Sequence, residues 1–199
     1  MRKTRAAGFQ MLEVVVILAI IGLVSTLGLP SLLRLTRSQR VGLAAAELVG
    51  VLRTARSQAI RYSSRVGVKF RVGDDGRVSF ALYRDGDGDG VRTRDIASGV
   101  DPQVAPFREL AHLGRDVRFG FPPGPAPRDP GNPRRRLGRL DDPIRFNRSD
   151  LASFDPLGGS TPGSLYLTDG RYHLKVVRVF GYTGKVKVLS YDPGSETWR

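Results

Sequence analysis

The chain has 199 residues, of which 40% are hydrophobic and 26% are charged, and its 32 Lys and Arg outnumber 19 Asp and Glu to give a formal net charge of +13. This balance excludes a disordered polyelectrolyte and a polytopic membrane protein, and the length suits one compact domain with an extension. The absence of cysteine excludes disulfide frameworks and thiol chemistry, and the two histidines form no triad-like spacing, so we predict no enzyme.

The N-terminal segment is a basic leader followed by an apolar stretch. Residues 1–8 contain three basic side chains and no acid. Residues 14–33 carry no charge, and twenty mostly apolar residues are about the length that crosses a hydrocarbon core as a helix. The positive-inside rule then places the N-terminus in the cytoplasm and the body outside. Glu13 stands at the edge of this stretch, where a carboxylate in lipid needs a cationic partner.

The sequence from residue 8 to residue 13, GFQMLE, lies between the leader and the apolar stretch. With Pro30 further along, it resembles the class III signal of type IV pilins and type II secretion pseudopilins, although Gln10 stands where the family usually has Thr. The resemblance implies that a prepilin peptidase removes the leader, residues 1–8, between Gly8 and Phe9 and methylates the new Phe9 amine. Glu13 would pair with the N-terminal ammonium of a neighbouring subunit, or its own, during assembly.

The resemblance also implies partners and a location. The partners would be other pseudopilins or pilins, the prepilin peptidase and an inner-membrane assembly platform. The protein would cross the bacterial inner membrane once, with its body in the periplasm, and would join a pseudopilus after assembly. Another possibility is an unprocessed membrane-anchored adaptor. In that case the leader would be kept and Phe9 would not become the N-terminus.

The helix is expected to continue from the membrane segment, residues 9–34, into an amphipathic part, residues 35–62. Apolar residues recur there at three- and four-residue intervals, which is typical of one buried helical face; they are Val41, Ala45, Leu48, Leu52, Ala55 and Ala59.

The remaining body, residues 63–199, alternates between apolar and polar residues over several short segments. The pattern predicts antiparallel strands at five of them: residues 65–71, 77–83, 163–168, 173–180 and 185–191. One long helix followed by antiparallel strands is an α+β fold, in which the C-terminal part of the helix covers one face of a sheet. The segments at 52–60 and 154–158, together with the strands around Gly184, resemble the GspH/FimT group. The resemblance implies an H-type minor pseudopilin of a type II secretion system.

A run of alternating Asp and Gly occupies residues 85–90. Asp85, Asp87 and Asp89 stand at the first, third and fifth positions of a calcium-loop pattern, but its twelfth position is Ile96, and Asp95 lies one residue short. Three adjacent carboxylates repel one another unless a cation is present. We therefore keep calcium binding and a solvated acidic turn as alternatives, with no other cofactor expected.

Two basic segments favour a different function. The insertion at residues 121–143 holds seven prolines and a cluster of arginines, which indicates an exposed loop that could contact phosphates; the cluster includes Arg134, Arg135 and Arg136. Lys185 and Lys187 fall where some FimT-type pilins carry a DNA-contacting motif, and alternation places both on one strand face. The alternative function is therefore that of a FimT-like minor pilin that binds DNA for natural transformation.

Overall fold

The structure, a computed structural model, describes residues 11–73, 78–109, 117–147 and 149–199, except for the side chains at positions 24 and 26–34. It divides into two compact units between Thr36 and Arg37. No helix within the described residues combines the length and the apolar character that a membrane crossing requires. The elements in chain order are α1 (Met11–Tyr62), β1 (Val66–Val72), β2 (Val78–Arg84), α2 (Thr93–Ser98), β3 (Gln103–Glu109), β4 (Arg118–Phe119), β5 (Arg128–Asp129), β6 (Asn132–Arg136), β7 (Ile144–Arg145), β8 (Leu151–Phe154), β9 (Gly163–Thr168), β10 (Leu174–Phe180), β11 (Lys185–Asp192) and β12 (Thr197–Trp198).

The part of α1 that belongs to the second unit forms the centre of the core. All six side chains that the helical spacing places on one face are buried, which confirms that prediction. Leu48 and Leu52 are fully buried, and burying a leucine contributes about 1.5–3 kcal/mol. The alanines of this face, among them Ala55 and Ala59, are small enough to let the helix backbone approach the strands closely.

The strands form two antiparallel sheets and a separate hairpin. The first sheet has the order β3-β2-β1-β8, and the second has the order β12-β11-β10-β9-β4, with β7 also paired to β9. Buried residues of both sheets join the helix in one cluster, for example Val68 from the first sheet and Val177 from the second. The hairpin β5-β6 lies within the proline-rich insertion.

These observations confirm the α+β class and all five predicted strands, to within a residue or two at their ends. The helix packs on antiparallel strands as expected, but these strands belong to two sheets and not to one, because β1 pairs with β8 while β9 pairs with β10. The sequence pattern also missed β3, whose Pro106 removes a backbone donor. Since β3 is an edge strand, this loss is tolerated there.

Candidate functional site

The residues expected to direct processing and assembly lie at the start of the chain. Gly8 and Phe9 lie outside the described residues. Glu13 is an exposed acid in the first turn of α1, where the positive end of the helix dipole favours a negative charge.

The helix beyond Glu13 presents apolar side chains to its surroundings. Ten large hydrophobic residues between Met11 and Leu23 are exposed, with Met11 at 86% and Ile17, the least exposed, at 41%. A contiguous surface of this kind is unfavourable in water and marks a segment that is covered by lipid or by another protein.

The acidic run forms a loop in which backbone N–H groups of the loop donate hydrogen bonds to the buried carboxylates. Both carboxylate oxygens of the buried Asp85 accept backbone hydrogen bonds, from Gly88 N at 2.8 Å and from Gly90 N at 3.0 Å. The two carboxylate oxygens of the buried Asp101 also accept backbone hydrogen bonds, from Gly86 N at 3.1 Å and from the N–H group of Arg92, which precedes α2. Asp101 is the one acid of this loop that sequence reasoning missed, because no local pattern indicates that it returns to the run.

Three of the four candidate calcium ligands come together. Oxygens of Asp85, Asp87 and Asp89 lie within 4.8 Å of one another, while Asp95 is outside this group. Desolvation raises the pKa of Asp89, although the positive charge of Arg92 acts in the opposite direction. The pKa of Asp87 is lowered, mainly by a hydrogen bond from the backbone of Asp89.

Two arginines supply positive charge to the same loop. Arg92 forms an ion pair with Asp89, and Arg94 bridges Asp89 at 3.4 Å and Asp95 at 3.1 Å. A cation would therefore compete with existing donors at most of these oxygens. Calcium binding stays a prediction.

The two lysines near Gly184 belong to a larger basic cluster. Lys185 and Lys187 are exposed, and in the antiparallel register Lys187 faces Arg178 while Lys185 faces Phe180. The Arg178 guanidinium lies 5.2 Å from the Phe180 ring centroid, and the Lys187 ammonium lies 6.0 Å from it. This is the range of cation–π contacts. Sequence alternation identified the lysines, but Arg178 and Phe180 depend on the strand register.

The arginine cluster of the insertion lies on an ordered hairpin rather than on a loop without strands. Every residue of β6 is exposed, including Arg134 and Arg135. Arg136 donates to Glu196 at 2.5 Å, and Arg128 of β5 reaches the other oxygen of Glu196 at 2.8 Å. These hydrogen bonds lower the pKa of Glu196 and fasten the hairpin to the turn before β12. Arg134 and Arg135 therefore project from a fixed hairpin.

A long helix packed on antiparallel sheets, with an apolar extension at its start, is the architecture of a pilin-like subunit. A family model described as Type II transport protein GspH matches residues 44–181, which is more than half of the chain. The match includes most of the buried face of α1 and the central strands of both sheets. The chain therefore belongs to the GspH family. No curated protein and no solved structure gives a significant match.

Proposed function

We propose that this chain is an H-type minor pseudopilin of a type II secretion system, a structural subunit of a short periplasmic pseudopilus that moves folded proteins outward. The observation that carries the proposal is the family match over residues 44–181, which covers the C-terminal part of α1 and the strands from β1 to β10. The family suggests a pseudopilin-like role in type II secretion and association with other pseudopilins. The particular system, the processing and the position in the filament are part of the proposal.

The apolar start of α1 is proposed to anchor the subunit before assembly. The charge-free run at residues 14–33 has the composition of a spanning segment, although positions 24 and 26–34 lie outside the described side chains. Its exposed apolar side chains would lie in the inner membrane and then exchange lipid for neighbouring helices in the pseudopilus. Burial against those helices would supply much of the cohesion of the filament, because apolar contact needs no specific partner groups.

Processing is proposed at the Gly8–Phe9 bond by a prepilin peptidase that also methylates the Phe9 amine. The cut creates an ammonium group four residues before Glu13. A carboxylate buried among apolar helices is stabilised when a cation lies within a few ångströms, so Glu13 would select a subunit whose leader has been removed. The assembly platform would then add only processed chains.

The first experiment tests the cleavage site in cells that carry the secretion system. We expect Gly8→Val to retain the leader, whereas the neighbouring control Ala7→Gly is processed normally. Intact-mass measurement of the purified chain detects both the loss of residues 1–8 and the added methyl group. Normal leader removal in Gly8→Val would exclude a prepilin signal, whereas a wild-type chain that keeps residues 1–8 would favour the unprocessed adaptor.

The second experiment tests Glu13 separately from processing. We expect Glu13→Ala to be cleaved like the wild type but to be largely absent from crosslinked complexes with the other pseudopilins. The control Gln10→Thr introduces the usual family residue and should both be cleaved and be incorporated. Wild-type incorporation of Glu13→Ala would contradict the assembly role.

The second candidate function is DNA binding by a FimT-like minor pilin, and the cluster around Phe180 favours it. Two cations against one aromatic ring, next to the exposed Lys185, combine phosphate attraction with a surface on which a base could stack. The net charge of +13, which becomes +10 once the three basic residues of the leader are removed, adds a general attraction for polyanions.

A salt series with the full-length chain in detergent distinguishes the two functions. If DNA binds through this cluster, Lys185→Ala/Lys187→Ala should weaken binding and reduce the slope of log K against log salt by about 0.7–0.9 for each phosphate that the lysines no longer neutralise. A control variant with alanine at Arg134, Arg135 and Arg136 should then change binding less. Loss of binding only in the arginine variant would indicate nonspecific attraction to the hairpin. Absence of binding near physiological salt would leave the secretion role.

A further inference from the structure

Two turns that join strands of the body lie side by side and form what we call the double-turn ridge. The first turn, residues 155–160, connects β8 to β9, and the second, residues 181–184, connects β10 to β11. The backbone N–H of Ser160 donates to the carbonyl of Gly181 at 2.8 Å. At the other end of the ridge, a Cβ added to Gly184 would lie 2.6 Å from the carbonyl oxygen of Gly158. The two turns are therefore in direct backbone contact.

The tips of the ridge are the most exposed large hydrophobic side chains of the described residues. Leu157 is 98% exposed and Tyr182 is 101% exposed. The first turn is nonetheless well defined, because Asp155 Oδ1 accepts hydrogen bonds from the backbone N–H groups of Leu157 at 2.8 Å and Gly159 at 3.0 Å. An apolar tip held on a fixed backbone loses little conformational entropy when a partner covers it.

A half-buried arginine of α1 lies beneath both turns. Arg56 Nη2 is 3.2 Å from the position of a Cβ on Gly158, and Arg56 Nε is 3.3 Å from the position of a Cβ on Gly184. Both glycines have positive φ, so side chains are disfavoured at these positions by conformation as well as by space. The Nε–H group is buried and has no hydrogen-bond partner among the described residues. A buried donor left in this state is unfavourable, and a guanidinium that shifts could regain a partner by binding a carboxylate.

We infer that the double-turn ridge is a docking surface for an acidic face of another pilin-like subunit. The partner would receive Leu157 and Tyr182 in an apolar depression and place a carboxylate against the terminal nitrogens of Arg56. Tyrosine and arginine are the side chains on which interfaces most often depend. A second copy of this chain is the poorer occupant, since its net charge, still +10 after the three basic residues of the leader are subtracted from +13, would repel the exposed Lys185 beside the ridge. This inference rests on the proposed function, because it takes the partner to be a neighbouring subunit.

The test uses the full-length chain in cells that assemble the system. A photoreactive benzoylphenylalanine is placed at Leu157 or at Tyr182, and a control chain carries it at Val100, an exposed apolar position in the loop after α2. After irradiation, mass spectrometry identifies the adduct and the peptide that is joined. We expect the same pilin-like subunit from both ridge positions, no such adduct from position 100, and a joined peptide that contains Asp or Glu.

Two substitutions decide whether the ridge forms the contact. Leu157→Asp cannot disturb the core because its side chain is fully exposed, and it should reduce the adduct from position 182 by about tenfold or more, as expected for a residue worth about 1.4 kcal/mol. Arg56→Glu should have a similar effect, and an Arg at the acidic partner position should restore the adduct.

The remaining outcomes overturn the inference. An adduct only with a second copy of this chain, an adduct that Leu157→Asp leaves unchanged, or no adduct while the leader is still removed would each do so. Leader retention in the unmodified chain is a different failure, because it contradicts the proposed function itself.

Discussion

The turn between β9 and β10 is held by one carboxylate, Asp169, whose side chain is only 1% exposed. Its Oδ1 accepts hydrogen bonds from three backbone N–H groups, of Arg171 at 2.9 Å, Tyr172 at 2.8 Å and His173 at 2.9 Å. Its Oδ2 lies 2.7 Å from Nδ1 of His173. Burial alone would raise the pKa of Asp169, but these hydrogen bonds outweigh it and lower the pKa from 3.8 to about 2.

This difference predicts how much the ionised carboxylate stabilises the fold. One pKa unit corresponds to roughly 1.4 kcal/mol, so ionised Asp169 contributes about 2 kcal/mol to the free energy of unfolding. Because the folded pKa is lower than the unfolded one, the contribution is fully present above about pH 4. It is lost as the pH falls through the folded value of about 2. Asp169→Asn should therefore be less stable than the wild type by about 2 kcal/mol at pH 7, and the difference should disappear toward pH 2.

The assay is urea unfolding of the full-length chain in detergent at a series of pH values. Trp198 is the one tryptophan, and its ring packs 6.2 Å from that of Tyr166 on β9, so its fluorescence reports on the same sheet. Asp141→Asn replaces an exposed carboxylate and should leave stability unchanged at each pH. A difference between Asp169→Asn and the wild type that stays constant from pH 7 to pH 2 would refute the electrostatic reasoning.

Three further changes test the packing. Leu52→Ala opens a cavity in the fully buried helix face and should cost about 2–5 kcal/mol in urea unfolding, whereas a cost below about 1 kcal/mol would contradict the core described for α1. Gly184→Ala should cost at least about 1 kcal/mol, since φ is +58 and the new methyl group would meet the Gly158 carbonyl; an unchanged midpoint would show that the turns separate easily. Glu196→Gln should release the β5-β6 hairpin and speed trypsin cleavage after its arginines, and wild-type cleavage would indicate that apolar packing alone holds the hairpin.

Periodicity predicted the parts of the fold that bury one face of a regular element. The helix face from Val41 to Ala59 and the alternating strands such as β10 repeat at the period of their backbone, so the sequence alone identifies them. The short strand β8 is mostly buried and apolar, which gives no alternation to detect. The hairpin β5-β6 contains proline, which argues against strands, and it forms because Glu196 and Trp198 bind it from 60 or more residues away.

The candidate sites show the same difference between residues that a local pattern identifies and residues that only the tertiary structure brings together. Lys185 and Lys187 share a strand face by simple alternation, and the prediction needs no tertiary information. Their neighbour Arg178 becomes visible only when the turn sets the register of β10 on β11. Asp101 joins the acidic loop through a chain reversal that no local residue pattern encodes. Side chains brought together across the chain were therefore beyond what the sequence could indicate.

The two faces of the second sheet pack against different hydrophobic clusters, and these clusters can change independently of each other. Its inner face, with Val177 and Val179, belongs to the cluster that contains α1, while Val176 on the opposite face belongs to a cluster with Leu137 of the insertion. A change in the length or sequence of the insertion would therefore alter the packing on the face of this sheet that is turned away from α1. Evolution could thus remodel the arginine-bearing surface while leaving the packing of α1 against the sheets unchanged.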